Sequence, residues 1–229
     1  MAITSPRQVS SGYFRNHLYV TLGLSTLAAL ALAKLSSTAT GLAVAAAVLS
    51  YVGSVCWLYE KKRAGIIALW LVAAAALAAA LIGVNAAVTA ARPLVSLQFC
   101  AVVTSGLVLG VTTAAMLLGH WYLNSPGMEL APLRRLLVVS AVAIGLQAVV
   151  SAAGLAAQWQ TGSMLPLHWV LLRWSFGIFG VLALIGMAWQ TLKIPNTQSA
   201  TGILYVAVIG VFIGELAASL LSAESAFPL

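Results

Sequence analysis

The chain has no aspartate, and its acidic side chains number four, all glutamate. Charged residues of both signs make up only 7% of the sequence, against 62% apolar. Soluble domains average about 25% charged and about 45–50% apolar. Fifteen charges over 229 residues cannot cover a water-facing surface, so lipid is the expected solvent. The missing aspartates also remove the commonest carboxylate for hard cations. Cysteine is scarce as well. Cys56 and Cys100 fall near opposite ends of their apolar runs, which puts roughly 20 Å between them along the bilayer normal at 1.5 Å per residue. A disulfide needs Cα atoms within about 7 Å, so two free thiols are expected. There is no CxxC, no His-x-x-x-His cluster and no pair of in-membrane carboxylates. The last apolar run has no lysine for a retinal Schiff base.

What is present is a series of apolar runs of about 20 residues, each long enough to cross roughly 30 Å of hydrocarbon. They cover 17–34, 39–59, 64–85, 95–120, 134–157, 165–190 and 199–221. Polar or proline-bearing segments cut them: Ser36-Ser37-Thr38, Glu60-Lys61-Lys62-Arg63, Arg92-Pro93, Asn124-Ser125-Pro126-Gly127, Gln158 to Pro166, and Lys193-Ile194-Pro195-Asn196. The sequence therefore reads as one all-α domain over 1–229, a polytopic bundle of seven transmembrane helices joined by short loops. The net charge of +7 does not indicate nucleic acid. The basic residues form clusters between apolar runs rather than a stripe.

Eight of them fall on one side: Arg7, Arg15, Lys61, Lys62, Arg63, Arg134, Arg135 and Lys193. Lys34 and Arg92 fall on the other. The positive-inside rule then puts the N-terminus in the cytoplasm and, after seven crossings, the C-terminus outside. The expected location is a bacterial inner membrane, with the bilayer and other membrane subunits as partners. Trp57, Tyr59, Trp121, Tyr122 and Trp189 at inner ends, and Trp159 and Trp169 at outer ends, suit interfacial belts. Arg7 and Arg15 before a run ending Ala31-Leu32-Ala33 also resemble a signal peptide. The leading segment is long and the run exceeds a usual h-region, so a retained first span is favoured.

Charge inside hydrocarbon costs about 2.5–3.5 kcal/mol per residue on insertion scales and needs a reason. Arg173 and Glu215 lie on consecutive runs, both roughly 9–12 Å below the outer boundary at 1.5 Å per residue. Matching depths on neighbouring helices predict a buried ion pair, with Gly177, Gly180, Gly210 and Gly214 letting the backbones approach. The pair can be a structural staple, or Glu215 can carry a proton and Arg173 anchor an anion. No metal is expected there. Gln147 and Asn85 are single amides expected to bridge helices. His168, beside Trp169, is expected to be a plain interfacial residue.

Gly106, Gly110, Thr113, Leu117 and His120 recur at helical spacing, and their GxxxG step predicts a face packed against protein. That face would carry His120 into the bundle at the cytoplasmic end, at the depth of His17. Two inward histidines at one level could ligate a b-type haem. With Trp121, Tyr122, Asn124, Lys193 and Asn196 they form a candidate cytoplasmic-edge cluster that could also receive a quinone headgroup. Asn196 or Ser199 can cap the last helix.

These features permit three functions. The favoured one is a membrane subunit or accessory factor of a respiratory or other redox complex, contacting quinone or haem and carrying no catalysis of its own. The first alternative is a small-solute or ion transporter built on the Arg173–Glu215 pair. The second is a non-catalytic scaffold or assembly protein.

Overall fold

A computed structural model describes residue 4 and residues 8–87, 95–124, 128–162, 165–194, 196–225 and 227–229. Arg7, Arg92-Pro93, Ser125-Pro126-Gly127 and Pro195 lie outside the described residues. Seven helical stretches follow the apolar runs: α1 (Ser11–Leu32), α2 (Ser37–Leu58), α3 (Lys62–Ala87), α4 (Val95–Asn124), α5 (Ala131–Gln160), α6 (Leu167–Thr191) and α7 (Thr197–Glu224). Six of them, α2 to α7, are long and apolar enough to cross a membrane. The expected first span is also helical, but it begins six residues earlier than 17 and carries Arg15, Asn16 and His17 near its start. Those polar turns keep α1 outside that set of six. Many large apolar side chains stay exposed, among them Leu27, Leu30, Val48, Val142, Val149 and Leu216. Helices apolar on their outward faces need lipid around them.

The chain falls into two compact units, Met1–Ala91 and Arg92–Leu229. In the first, α2 packs against both α1 and α3. Ser36 starts α2 by accepting a hydrogen bond from Ala39 N at 3.3 Å. The helix ends in a Schellman closure, with Lys61 N donating to Cys56 O and Glu60 N to Trp57 O. Glu60 sits in that closure at φ 54°, a conformation that favours glycine. Small residues set the close approaches. Trp57 lies on Gly65, whose ideal Cβ would come within 2.6 Å of the indole. Gly53 faces Leu18 and Ala68. Trp57 is buried and stacks on Phe14 at 4.3 Å. It is therefore a core residue rather than the interfacial anchor its position suggests.

In the second unit α4 packs on α5 and α7, and α6 packs on α7. Asn196 caps α7 through Ser199 N at 3.0 Å, as expected. Arg134 Nη2 donates to Leu192 O at 2.8 Å, tying the start of α5 to the end of α6. The buried side of α7 runs Ala200, Leu204, Ala207, Val211, Gly214, Ala218 and Leu221, the spacing of one helix face.

The sixth run is helical throughout, with a π-helical stretch over Leu172–Gly180. One expectation fails: the Gly106/Gly110 face of α4 is not packed. Both glycines are exposed with nothing within 4 Å of an added Cβ, and His120 on that face is exposed. The buried face of α4 instead carries Thr104, Val108, Thr112, Ala115, Leu118 and Gly119. The reason is chemical. In lipid, hydrogen bonds between helices and close van der Waals fit decide what turns inward, and the Ser105 hydroxyl reaches Glu215 of α7 whereas the glycines have no side chain to pair.

Candidate functional site

The two charges singled out by depth do meet. Arg173 Nη1 and Glu215 Oε1 are 2.8 Å apart, with Arg173 buried. Two further helices join them. Gln147 of α5 donates from Nε2 to Glu215 Oε1 at 2.5 Å and to Ser105 Oγ at 3.2 Å. Ser105 of α4 donates to Glu215 Oε2 at 2.5 Å. The glutamate thus accepts from three side chains on three helices. Gln147 bridges helices as expected, whereas Asn85 is exposed.

The geometry has a backbone cause. An ideal Cβ on Gly177 would sit 2.6 Å from Gly214 Cα, and one on Gly214 would sit 2.5 Å from Gly177 Cα. At that separation only hydrogens fit between α6 and α7. Arg173 lies one turn before Gly177 and Glu215 follows Gly214, so the glycine contact delivers both charges to the same level. The π-helical stretch carries Arg173 near its start and Gly177 within it. Such widened turns occur often at functional sites.

The guanidinium is only partly used. Arginine offers five N–H donors. Among the described residues Arg173 has one protein acceptor, Glu215, and its buried Nε has none. Arg173 also lines a cavity of about 20 Å³, together with Ala101, Thr104, Ser105, Gln147, Val150, Ser151, Pro228 and Leu229. Pro228 carbonyl O rests where a Cβ at Gly154 would be, so the glycine lets Pro228 lie against α5 beside the cavity. Ser225 Oγ donates to Phe227 O at 2.5 Å, and Ser222 Oγ accepts from Leu229 N at 3.2 Å.

The cytoplasmic-edge candidates are used more locally. His120 and Tyr205 pair through Nδ1 and the phenol oxygen at 3.2 Å, both exposed. Gly119 beside it packs on Thr201 of α7. Tyr122 donates to Glu129 O, and Asn124 Nδ2 reaches His120 O at 3.5 Å. Trp121 has a buried indole N–H with no acceptor among the described residues. Lys193 and Asn196 are exposed. His17 belongs to the first unit, buried, with Nδ1 3.0 Å from Tyr13 O and its ring 4.2 Å from the Tyr13 ring. His168 is exposed with its ring 5.0 Å from that of Trp169. Both cysteines are free. No group of three or more metal-ligating side chains occurs among the described residues.

Compared with known proteins, the chain matches no family, no curated protein and no solved structure.

Sequence reasoning missed two parts of this site. Ser105 sits in an ordinary apolar run, one residue from Gly106, whose GxxxG spacing suggests a different packed face. The π-helical stretch has no proline to announce it.

Proposed function

We propose that this is a seven-span inner-membrane protein, N-terminus in the cytoplasm and C-terminus outside, that binds and moves a small polar or charged solute through the Arg173–Glu215 centre. The clusters Lys61-Lys62-Arg63, Arg134-Arg135 and Lys193 support the orientation. One observation carries the transport reading. A buried guanidinium keeps an N–H without an acceptor among the described residues, and the same side chain lines a small cavity with Thr104, Ser105, Gln147, Val150 and Ser151. A staple needs neither spare donors nor space. Ionisable groups inside a membrane bundle commonly mark solute or proton paths.

The test is reconstitution of wild type, Glu215→Gln and Arg173→Met in liposomes, with an internal dye reporting proton movement. Loss of flux in folded variants supports the reading. Unchanged flux in both, with both folded, reduces the pair to a staple.

A second reading, a subunit of a redox complex, draws on the exposed His120–Tyr205 pair, which offers hydrogen-bonding edges beside Trp121. Quinone would bind there by hydrogen bonds, and haem would need His17 or His120 as ligand. A reduced sample without a Soret band removes haem, and isolation without partner subunits removes the complex.

A further inference from the structure

We infer that Phe227, Pro228 and Leu229, which follow α7, form a strap that seals the Arg173–Glu215 centre from water at one end of the bundle and must lift for that centre to meet solvent. This rests on the transport reading above and gives the proposed path its entrance.

The residues after α7 turn back into the bundle instead of leaving it. Ser225, Phe227 and Leu229 are buried. Non-helical backbone is tolerated at membrane depth only where it is buried in protein or lines a cavity. This stretch does both, and it has few polar groups to satisfy. Leu229 N donates to Ser222 Oγ at 3.2 Å, and Phe227 O accepts from Ser225 Oγ at 2.5 Å. Pro228 has no N–H to satisfy. Its carbonyl O stands where a Cβ at Gly154 would be, so residue 154 must be glycine for the strap to seat. None of Phe227, Pro228 and Leu229 carries a side-chain charge, and burying them incurs no charge penalty.

Helical register places the strap above the centre. On α5, Gln147 donates to Glu215, Ser151 follows one turn later, and Gly154 meets Pro228 one turn beyond that. The rise from Gln147 to Gly154 is about 10 Å at 1.5 Å per residue. On α7 the same separation lies between Glu215 and Ser222, the residue that holds Leu229 N. On α4 the cavity wall runs from Ser105 through Thr104 to Ala101, toward the Val95 end. All three rows climb toward the end where α5 and α7 finish and α4 begins, the outer end in the orientation proposed above. The cavity of about 20 Å³ therefore has Ser105, Gln147 and Arg173 on its deep side and Pro228 and Leu229 on its outer side. Thr104, Gln147, Ser151 and Arg173 are all buried with the strap seated.

The hold is light enough to release. The sole ion pair among the described residues is Arg173–Glu215, so no ion pair there fastens the strap. Neutral hydrogen bonds and two buried side chains hold a short segment outside any helix, and such segments open locally far more readily than packed helices do.

The experiment reads solvent access at Ser151 in the full chain, purified in phospholipid nanodiscs so that both membrane faces are open to reagent. Cys56→Ala and Cys100→Ala remove the native thiols, and Ser151→Cys places one on the cavity wall. A small charged methanethiosulfonate reagent should modify it slowly. Adding Gly154→Leu, which drives Pro228 off α5, should speed modification at least about tenfold. Ala143→Cys, two turns deeper on α5 and buried, should stay unmodified with and without Gly154→Leu. Modification there would mark that variant as unfolded, and Phe227→Ser then replaces it under the same criteria. An unchanged Ser151→Cys rate in a folded strap variant overturns the inference. So does a Ser151→Cys that reacts, with the strap intact, as fast as the exposed native Cys100. The liposome test is independent of these outcomes. Flux lost in Glu215→Gln with no change in labelling keeps the transport reading and removes the strap. Faster labelling in strap variants, with flux unaffected by Glu215→Gln and Arg173→Met, keeps the strap as a seal and removes the transport reading.

Discussion

Removing one charge of the buried pair should not cost the same as removing the other. Arg173→Met leaves Glu215 in place with Ser105 and Gln147 still donating to it, and a carboxyl can become neutral by taking a proton. The cost is then the lost hydrogen bond and some loosened packing, about 1–3 kcal/mol. Glu215→Leu leaves a guanidinium that cannot discharge, with no acceptor among the described residues. An uncompensated buried charge costs about 3–5 kcal/mol. It also strands the Ser105 and Gln147 donors. The double variant Arg173→Met/Glu215→Leu removes both charges and should recover the cost of the uncompensated guanidinium, but not that of the stranded Ser105 and Gln147 donors. The assay is a double-mutant cycle in one detergent at one pH, following thermal or denaturant unfolding. The expected order of stability is wild type, then Arg173→Met and the double variant, then Glu215→Leu. Equal costs for the two single variants, or a double variant as poor as their sum, would refute the picture of an isolated pair balanced in hydrocarbon.

Other expectations follow from packing and caps. Gly177→Val should destabilise by at least about 1–3 kcal/mol, because its Cβ would meet the Gly214 backbone, which cannot swing aside. Gly106→Ala and Gly110→Ala, with open space around them, should be neutral or stabilise by about 0.5–1 kcal/mol in the same melts. Glu60→Gly should raise stability by about 0.5–1 kcal/mol, since it relieves φ 54° at the end of α2. A reporter fused after Leu229 should be active only outside the cytoplasm, and an intracellular signal would reverse the orientation.

Much of the architecture is legible because hydrocarbon imposes a length. Six of the helices begin and end within a few residues of the expected spans, since the apolar runs and their polar breaks mark them directly. The exception is α1, where amphipathic residues from Ser11 to His17 extend the helix beyond its apolar run. Depth arithmetic alone brought Arg173 to Glu215, because a loop of a few residues makes α6 and α7 antiparallel neighbours. Helix rotation was harder to read. The expected face of α4 followed its glycines, yet a glycine is equally at ease against lipid, and the Ser105 hydroxyl, paired with Glu215, had the stronger claim to the interior. No run of residues foretold the π-helical stretch in α6, because Leu172–Gly180 holds no proline to mark it.

The choice between staple and working site turns on what the pair leaves over. In a staple each strong donor is spent on the partner, and closer packing is always an improvement. Here the glycine contact at Gly177 and Gly214 already sets the distance between α6 and α7, so the charges are not needed to hold the helices together. Insertion cost should then favour their loss, about 2.5–3.5 kcal/mol for each charged side chain. Instead the centre keeps both charges, recruits donors from α4 and α5, and leaves the buried Nε of Arg173 without an acceptor among the described residues. A cost of that size with no packing role is the ground for proposing a working site rather than a staple.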